Sequence, residues 1–252
     1  MTQDGVGLRV DGAVATVTLD RPDVLNAQTT RTWSRLRHIG RDLPGAVRVV
    51  VLRGAGRAFS SGLDLRLLDG TSGLLAELTA GGPDDCADRI AGFQEAFSWL
   101  RRPDLVSVAA VHGPAFGAGF QLALQCDLRV LATDAVLAMA EVTHGIVPDL
   151  GGTRRLVELV GYGRALELCL TGRRVDAAEA DRLGLATLVV PPDALDAAAA
   201  DLVAAVLAAD RGVTGELKAL LAGALDRSPD AQLRAEREAQ ARLLFHRFAG
   251  AD

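Results

Sequence analysis

Residues Leu8–Asp20, LRVDGAVATVTLD, alternate apolar and polar side chains on both sides of Asp11-Gly12. That alternation, broken by Asp-Gly, predicts two antiparallel strands joined by a type I′ turn. Pro22 then breaks the pattern. Thr29–Leu43, TTRTWSRLRHIGRDL, switches to helical spacing with threonines placed to cap its start. The β-branched run VRVVVLRG, Val47–Gly54, ends in glycine and predicts a buried strand.

Between Ala87 and Arg101, Ile90, Phe93, Phe97 and Leu100 recur at helical spacing and predict an amphipathic helix whose aromatic stripe belongs to the core. DLVSVAAVHG reads as the next strand, followed by a glycine-rich turn, a helix through FQLALQCD, and another strand in LRVLATD. Strands alternating with helices at this spacing place the chain in the α/β class. Pro191-Pro192 favours a break, and beyond about residue 192 the Ala- and Leu-rich sequence predicts helices only. Two regions are therefore expected, a core over 1–191 and a helical region over 192–252. Leu68–Asp85, with several glycines and a proline, is the candidate mobile loop or lid.

A chain of 252 residues, 49% of them hydrophobic, has the material for a large core. Its formal charge of -5 argues against nucleic acid as a partner. No apolar run suggests export or a membrane span, and three widely spaced cysteines suit reduced thiols in the cytoplasm. The cysteines receive no role.

Two segments share one plan: VRVVVLRGAGRAFSSGLDL and VSVAAVHGPAFGAGFQL each run a strand into a glycine-containing turn ahead of a helix. Such turns expose backbone N–H groups, and at a helix start the dipole also favours negative charge. If the two converge, they form an anion hole. GAGFQL lacks the third glycine of a dinucleotide fingerprint, no P-loop ending is present, and RAFSSGLD has no G-x-S-x-G elbow.

These turns, together with LDRPDVLNA, EVTHGIVPDLGGTRRL and LTGRRVDAAEADRLGLATLVV, resemble the enoyl-CoA hydratase/isomerase (crotonase) family. The resemblance implies a β-spiral core of stacked ββα units, a C-terminal helical region used in forming a homotrimer or a dimer of trimers, and acyl-CoA thioester substrates. It implies that the N–H groups of Leu63 and Ala118 stabilise a thioester enolate, with Gly62, Gly117 and Gly119 allowing close approach. Coenzyme A, carried by the substrate, would meet backbone near Ala27, Ala58, Ser60 and Leu63. Arg57 and Arg66 would meet its phosphates, while Arg247 or Phe248 would reach a neighbouring subunit's site. No other cofactor and no metal is implied.

Hydratases of this family use two glutamates; the second matches Glu141, whereas the first falls on Gln121. An amide cannot take a proton at neutral pH, so Gln121 would orient water or substrate, or serve as an ordinary helical polar residue. Asp149 matches an aspartate that isomerases of the family use as acid or base. Its other reading is turn chemistry, capping the helix that begins near Thr153. Glu141 reads either as a surface charge or, if its apolar neighbours bury it, as a carboxyl of raised pKa. His144 lacks a partner at relay spacing and is not a catalytic candidate. The favoured activity is double-bond isomerisation by Glu141 and Asp149. The alternatives are hydration by Glu141 and, more remotely, acyl-CoA binding without catalysis.

Overall fold

The computed structural model describes residues 4–68 and 73–248, and the alternating segment near its start folds as the hairpin of β1 (Val6–Asp11) and β2 (Val14–Leu19). Asp11 pairs with Val14, so the loop is Gly12-Ala13 rather than Asp11-Gly12. Only Gly12 of this pair has positive φ, whereas a type I′ turn needs it at both central residues; the expected turn type is not formed. Helix α1 (Thr30–Asp42) starts where the threonines place it: Thr29 accepts from the N–H of Thr32, whose hydroxyl accepts from the N–H of Thr29.

The chain continues through β3 (Val49–Gly54), α2 (Leu74–Thr79), α3 (Pro83–Ser98), β4 (Val106–Val111), β5 (Pro114–Phe116), α4 (Ala118–Gln125), β6 (Leu128–Ala132) and β7 (Val136–Ala138). It then forms α5 (Gly152–Val160), α6 (Tyr162–Thr171), β8 (Val175–Asp176), α7 (Ala177–Arg182) and β9 (Leu188–Val190). Three helices close the described chain: α8 (Leu195–Ala208), α9 (Arg211–Ala222) and α10 (Pro229–Phe248). One sheet runs β1-β2-β3-β4-β6-β9, antiparallel only at its first pair, and a second runs β5-β7-β8.

Each of β4 and β6 is followed by a short strand of the second sheet and then by a helix, which is the expected ββα unit. After β3, Ser60 bridges Ala115 and Leu63 bridges Gln28, so residues 59–63 occupy the equivalent place. The short strands β5, β7 and β8 have two or three residues each, too few to show any period in sequence.

The central strands are mostly apolar because both faces are covered, with Arg53, Ser107 and Arg129 as the polar exceptions in β3, β4 and β6. On one face Val50, Leu52, Ala109 and Val111 join Leu36, Phe59 and Phe97; on the other, Val49, Val108 and Ala110 meet Leu195, Ala199 and Val203 of α8. Residues beyond 192 are helical as expected, but α8 shares the core of the sheet. Helix α3 begins four residues before Ala87, with Pro83 in its first turn, where a missing N–H costs nothing, and Asp85 accepting from the N–H of Gly82. Among the described residues no helix is long and apolar enough to cross a membrane.

Asn26 joins the segment after β2 to the one after β3. It is 2% exposed at φ 55°, donates through Nδ2 to the carbonyls of Ala55 (2.8 Å) and Ala58 (2.7 Å), and accepts from the N–H of Arg21 (2.8 Å). Asn26→Ala unpairs these groups and leaves a β-carbon at a left-handed position that asparagine tolerates better. We expect a loss of about 2–3 kcal/mol. Urea unfolding with an unchanged m value and a lower midpoint is the expected reading, and an unmoved midpoint would contradict it.

Candidate active site

The two glycine turns do converge. Ser60 donates its N–H to the carbonyl of Pro114 and accepts from the N–H of Phe116, each at 3.0 Å, while the N–H of Phe59 bonds the carbonyl of His112 at 2.8 Å. On the far side, Gln28 donates to the carbonyl of Gly62 (2.7 Å) and accepts from the N–H of Asp64 (2.8 Å). Across the trans peptide the N–H of Leu63 points opposite to the Gly62 carbonyl, away from Gln28, and Leu63 lines the cavity. Ala118 opens α4, and its N–H has no partner within the helix.

Glycine is required where these turns touch. Gly62 has φ 92°, and a β-carbon there would stand 2.5 Å from the carbonyl oxygen of Phe116 and 3.5 Å from the nitrogen of Ala118. One at Gly119 would stand 2.5 Å from the carbonyl oxygen of Ser60. Leu63, Ala118, Gly62 and Gly117 all line the cavity, and two converging N–H donors form the arrangement that can hold a developing oxyanion.

Glu141 stands at the start of a 3-10 turn and is 6% exposed, which removes its reading as a surface charge. Its Oε1 accepts from Nε2 of Gln121 at 2.7 Å. Its Oε2, although buried, has no hydrogen-bond partner, alone in this respect among the described residues. Burial pushes the carboxyl above its ordinary range and the charge of Asp149 adds to this, while its own backbone and Gln121 pull it down.

Asp149 lines the same cavity, and burial raises its carboxyl as well. It does not cap the next helix: α5 begins after Gly151 with no side-chain cap. Gln121 is 1% exposed, and its Oε1 accepts from the N–H groups of Leu150 (2.9 Å) and Gly152 (3.2 Å).

The cavity has a volume of about 280 Å³, and the rest of its wall is largely apolar. Ile90 and Phe93, expected in the core, line it together with Trp33 and Cys86; Phe97 and Leu100 are buried in the core as expected. Phe93 packs against Trp33 with ring centroids 4.9 Å apart and the rings tilted by 49°. Part of the expected loop is helical, since Leu74, Leu75 and Leu78 of α2 contribute to the wall; residues 69–72 of that loop lie outside the described residues. Sequence reasoning missed Trp33, Cys86 and this leucine cluster, because helical spacing does not distinguish a core-facing side chain from one facing a cavity.

Ala58 and Ser60 are fully buried, and neither they, Ala27 nor Gly119 line the cavity. The carbonyls of Ala27 and Ala58 already accept from Arg21 and Asn26. The Ser60 hydroxyl donates to the carbonyl of Asn26 and accepts from Gln28 and from the N–H of Gly62, so it braces the turn. Arg66 grips Asp64 with two hydrogen bonds of 2.9 and 2.7 Å, and with Arg21 it holds that carboxyl down at about 2. Arg57 and Arg247 are exposed, and the side chain of Phe248 lies outside the described residues.

A carboxyl whose folded pKa is raised binds protons more tightly in the folded state. The resulting cost to stability is absent below the unfolded pKa, grows as pH rises above it, and levels off above the folded pKa. Glu141→Gln removes that cost and keeps an acceptor for Gln121. The variant should unfold at a higher temperature than wild type near pH 8, with the difference shrinking towards pH 4. Equal melting temperatures across that range would refute a burial cost at this side chain.

The enoyl-CoA hydratase/isomerase family profile matches residues 9–250. A probable enoyl-CoA hydratase of Rhizobium meliloti (strain 1021) is 35% identical over 197 residues, covering 77% of this chain and 72% of its own. A carnitinyl-CoA dehydratase of Citrobacter koseri is 38% identical over 194 residues, covering 76% and 70%. A Thermobifida fusca YX chain solved in complex with acetoacetyl-CoA superposes with a TM-score of 0.91 at 47% identity over 96% of both chains. With the fold, the paired turns and these relatives in agreement, the chain belongs to the enoyl-CoA hydratase/isomerase family.

Proposed function

We propose that the protein shifts the double bond of an enoyl-CoA thioester. A carboxylate takes the proton from the α carbon, the N–H groups of Leu63 and Ala118 hold the dienolate oxygen, and a proton returns at the γ carbon. The observation that carries this reading is the buried, unpartnered Oε2 of Glu141, a residue that lines the same cavity as Asp149, with an amide at the position of a second glutamate. Burial brings both carboxyls closer to the basicity that removing an α proton demands. The apolar wall suits an acyl chain, and the Thermobifida fusca complexes with acetoacetyl-CoA and CoA support a thioester substrate. The transfer needs no metal or redox cofactor. Three free cysteines suit a reducing cytoplasm.

Hydration is the second reading, favoured by relatives that carry the name hydratase. It would rest on Glu141 and a water held by the remaining N–H of Gln121, whose other groups are engaged. The test incubates 2-enoyl and 3-enoyl thioesters with wild type, Glu141→Gln and Asp149→Asn, scoring migration and 3-hydroxyacyl product separately. Migration should dominate and fall by about 10²–10⁴-fold in Glu141→Gln. Efficient hydroxy product without migration would reject isomerisation. No exchange of substrate protons in heavy water would leave a binding protein.

We further propose a trimer or a pair of trimers. Tyr162, Leu166 and Leu170 of α6, and Val213, Leu217 and Leu221 of α9, form exposed apolar rows at four-residue spacing. Light scattering should give three or six times 26.3 kDa, and a monomer would refute it.

A further inference from the structure

We propose that Gln121 is a positioning residue: a single buried carboxamide fixes the rotamer of Glu141 and the turn that carries Asp149, and so sets the relative placement of the two acids. This inference rests on the isomerase reading only for what the acids do, and not for how they are held.

The geometry fixes the amide in one orientation. Its oxygen receives the N–H groups of Leu150 and Gly152 at 2.9 and 3.2 Å, so exchanging oxygen and nitrogen would set donors against donors. The NH₂ group must then face Glu141, where it holds Oε1 at 2.7 Å. With one oxygen tethered, the other, Oε2, is the one left for a substrate. The turn is seated equally closely, since a β-carbon at Gly152 would stand 2.7 Å from Cγ of Gln121. Asp149 directly precedes the first anchored N–H, and its own carbonyl accepts from Nε2 of Gln94 on α3 at 2.7 Å.

Gln121 also supplies a donor to a carboxylate that burial disfavours. The other titratable groups around Glu141 are Asp149 on the facing turn, His144 at the end of its own turn, Cys86 of α3 and Cys169 of α6. A glutamate at 121 could accept the two backbone N–H groups, but its second oxygen would meet Oε1 of Glu141 and the pair would have to share a proton. The protonated form of Gln121→Glu therefore imitates the amide, and its ionised form does not.

The test compares Gln121→Glu and Gln121→Met with wild type in two readouts, the ¹³C titration of the Glu141 carboxyl without substrate and the pH dependence of kcat on an enoyl-CoA. In Gln121→Met, Glu141 should titrate at higher pH, and kcat should fall about 10²-fold with KM little changed, as for a misplaced reacting group. Gln121→Glu, which keeps the seat of the turn should the methionine variant fail to fold, should retain activity on the acid side. It should lose that activity at lower pH than wild type does, as the shared proton leaves. A Glu141 titration unmoved in either folded variant, or pH profiles of one shape in all three proteins, would overturn the proposal. A moved titration paired with hydroxyacyl product alone supports the clamp and rejects the isomerase reading, so the two failures are distinguishable.

Discussion

Two hydrogen bonds made by one residue, from the N–H of Ser60 to Pro114 and from the N–H of Phe116 to the carbonyl of Ser60, hold the turns of successive ββα units side by side. Everything at the site is referred to that seam. It brings Gly62 against Phe116 and Gly119 against Ser60 so closely that neither position has room for a side chain. It also leaves Leu63 and Ala118 lining one cavity.

The second constraint opposes stability. A carboxylate with an unpaired oxygen in an apolar cavity is a group that folding alone would not select, since burial disfavours its charge. The molecule offsets part of this locally, through Gln121, and leaves the second oxygen without a partner. The polar support extends outward in the same manner. Gln28 receives the indole N–H of Trp33 and donates to Ser60, which receives the N–H of Gly62. This buried network ties Trp33 in the cavity wall to the turn at Gly62.

Much of this was legible in the sequence. The hairpin follows from its alternation, the first helix from its capping threonines, the buried strands from their β-branched runs and the helices after residue 192 from an Ala- and Leu-rich composition; of the two glycine turns expected ahead of helices, the second opens α4, whereas the first leads only into a 3-10 turn at Leu65–Leu68. The strands β5, β7 and β8 were not, because two or three residues carry no period. Phe93 packs against the core as expected and also lines the cavity, because helical spacing reports an apolar face and not whether protein or a cavity lies opposite it. Ser60 reads as a backbone contact for coenzyme A by resemblance, yet its hydroxyl and its backbone are consumed in holding the turn. The bond from Gln121 to Glu141 spans 20 positions and depends on how a turn closes, which no local pattern encodes.

The cavity is built from two kinds of material. The anion turns and the Gln121 clamp are tied by main-chain hydrogen bonds, whereas Leu74, Leu75 and Leu78 of α2 and Ile90 of α3 contribute only apolar surface to the wall. Those wall side chains can change in size while the reacting end keeps its shape. The size of the apolar wall and the arrangement of the two carboxyls are therefore separable traits in this molecule, and mutation can re-cut the first without disturbing the second.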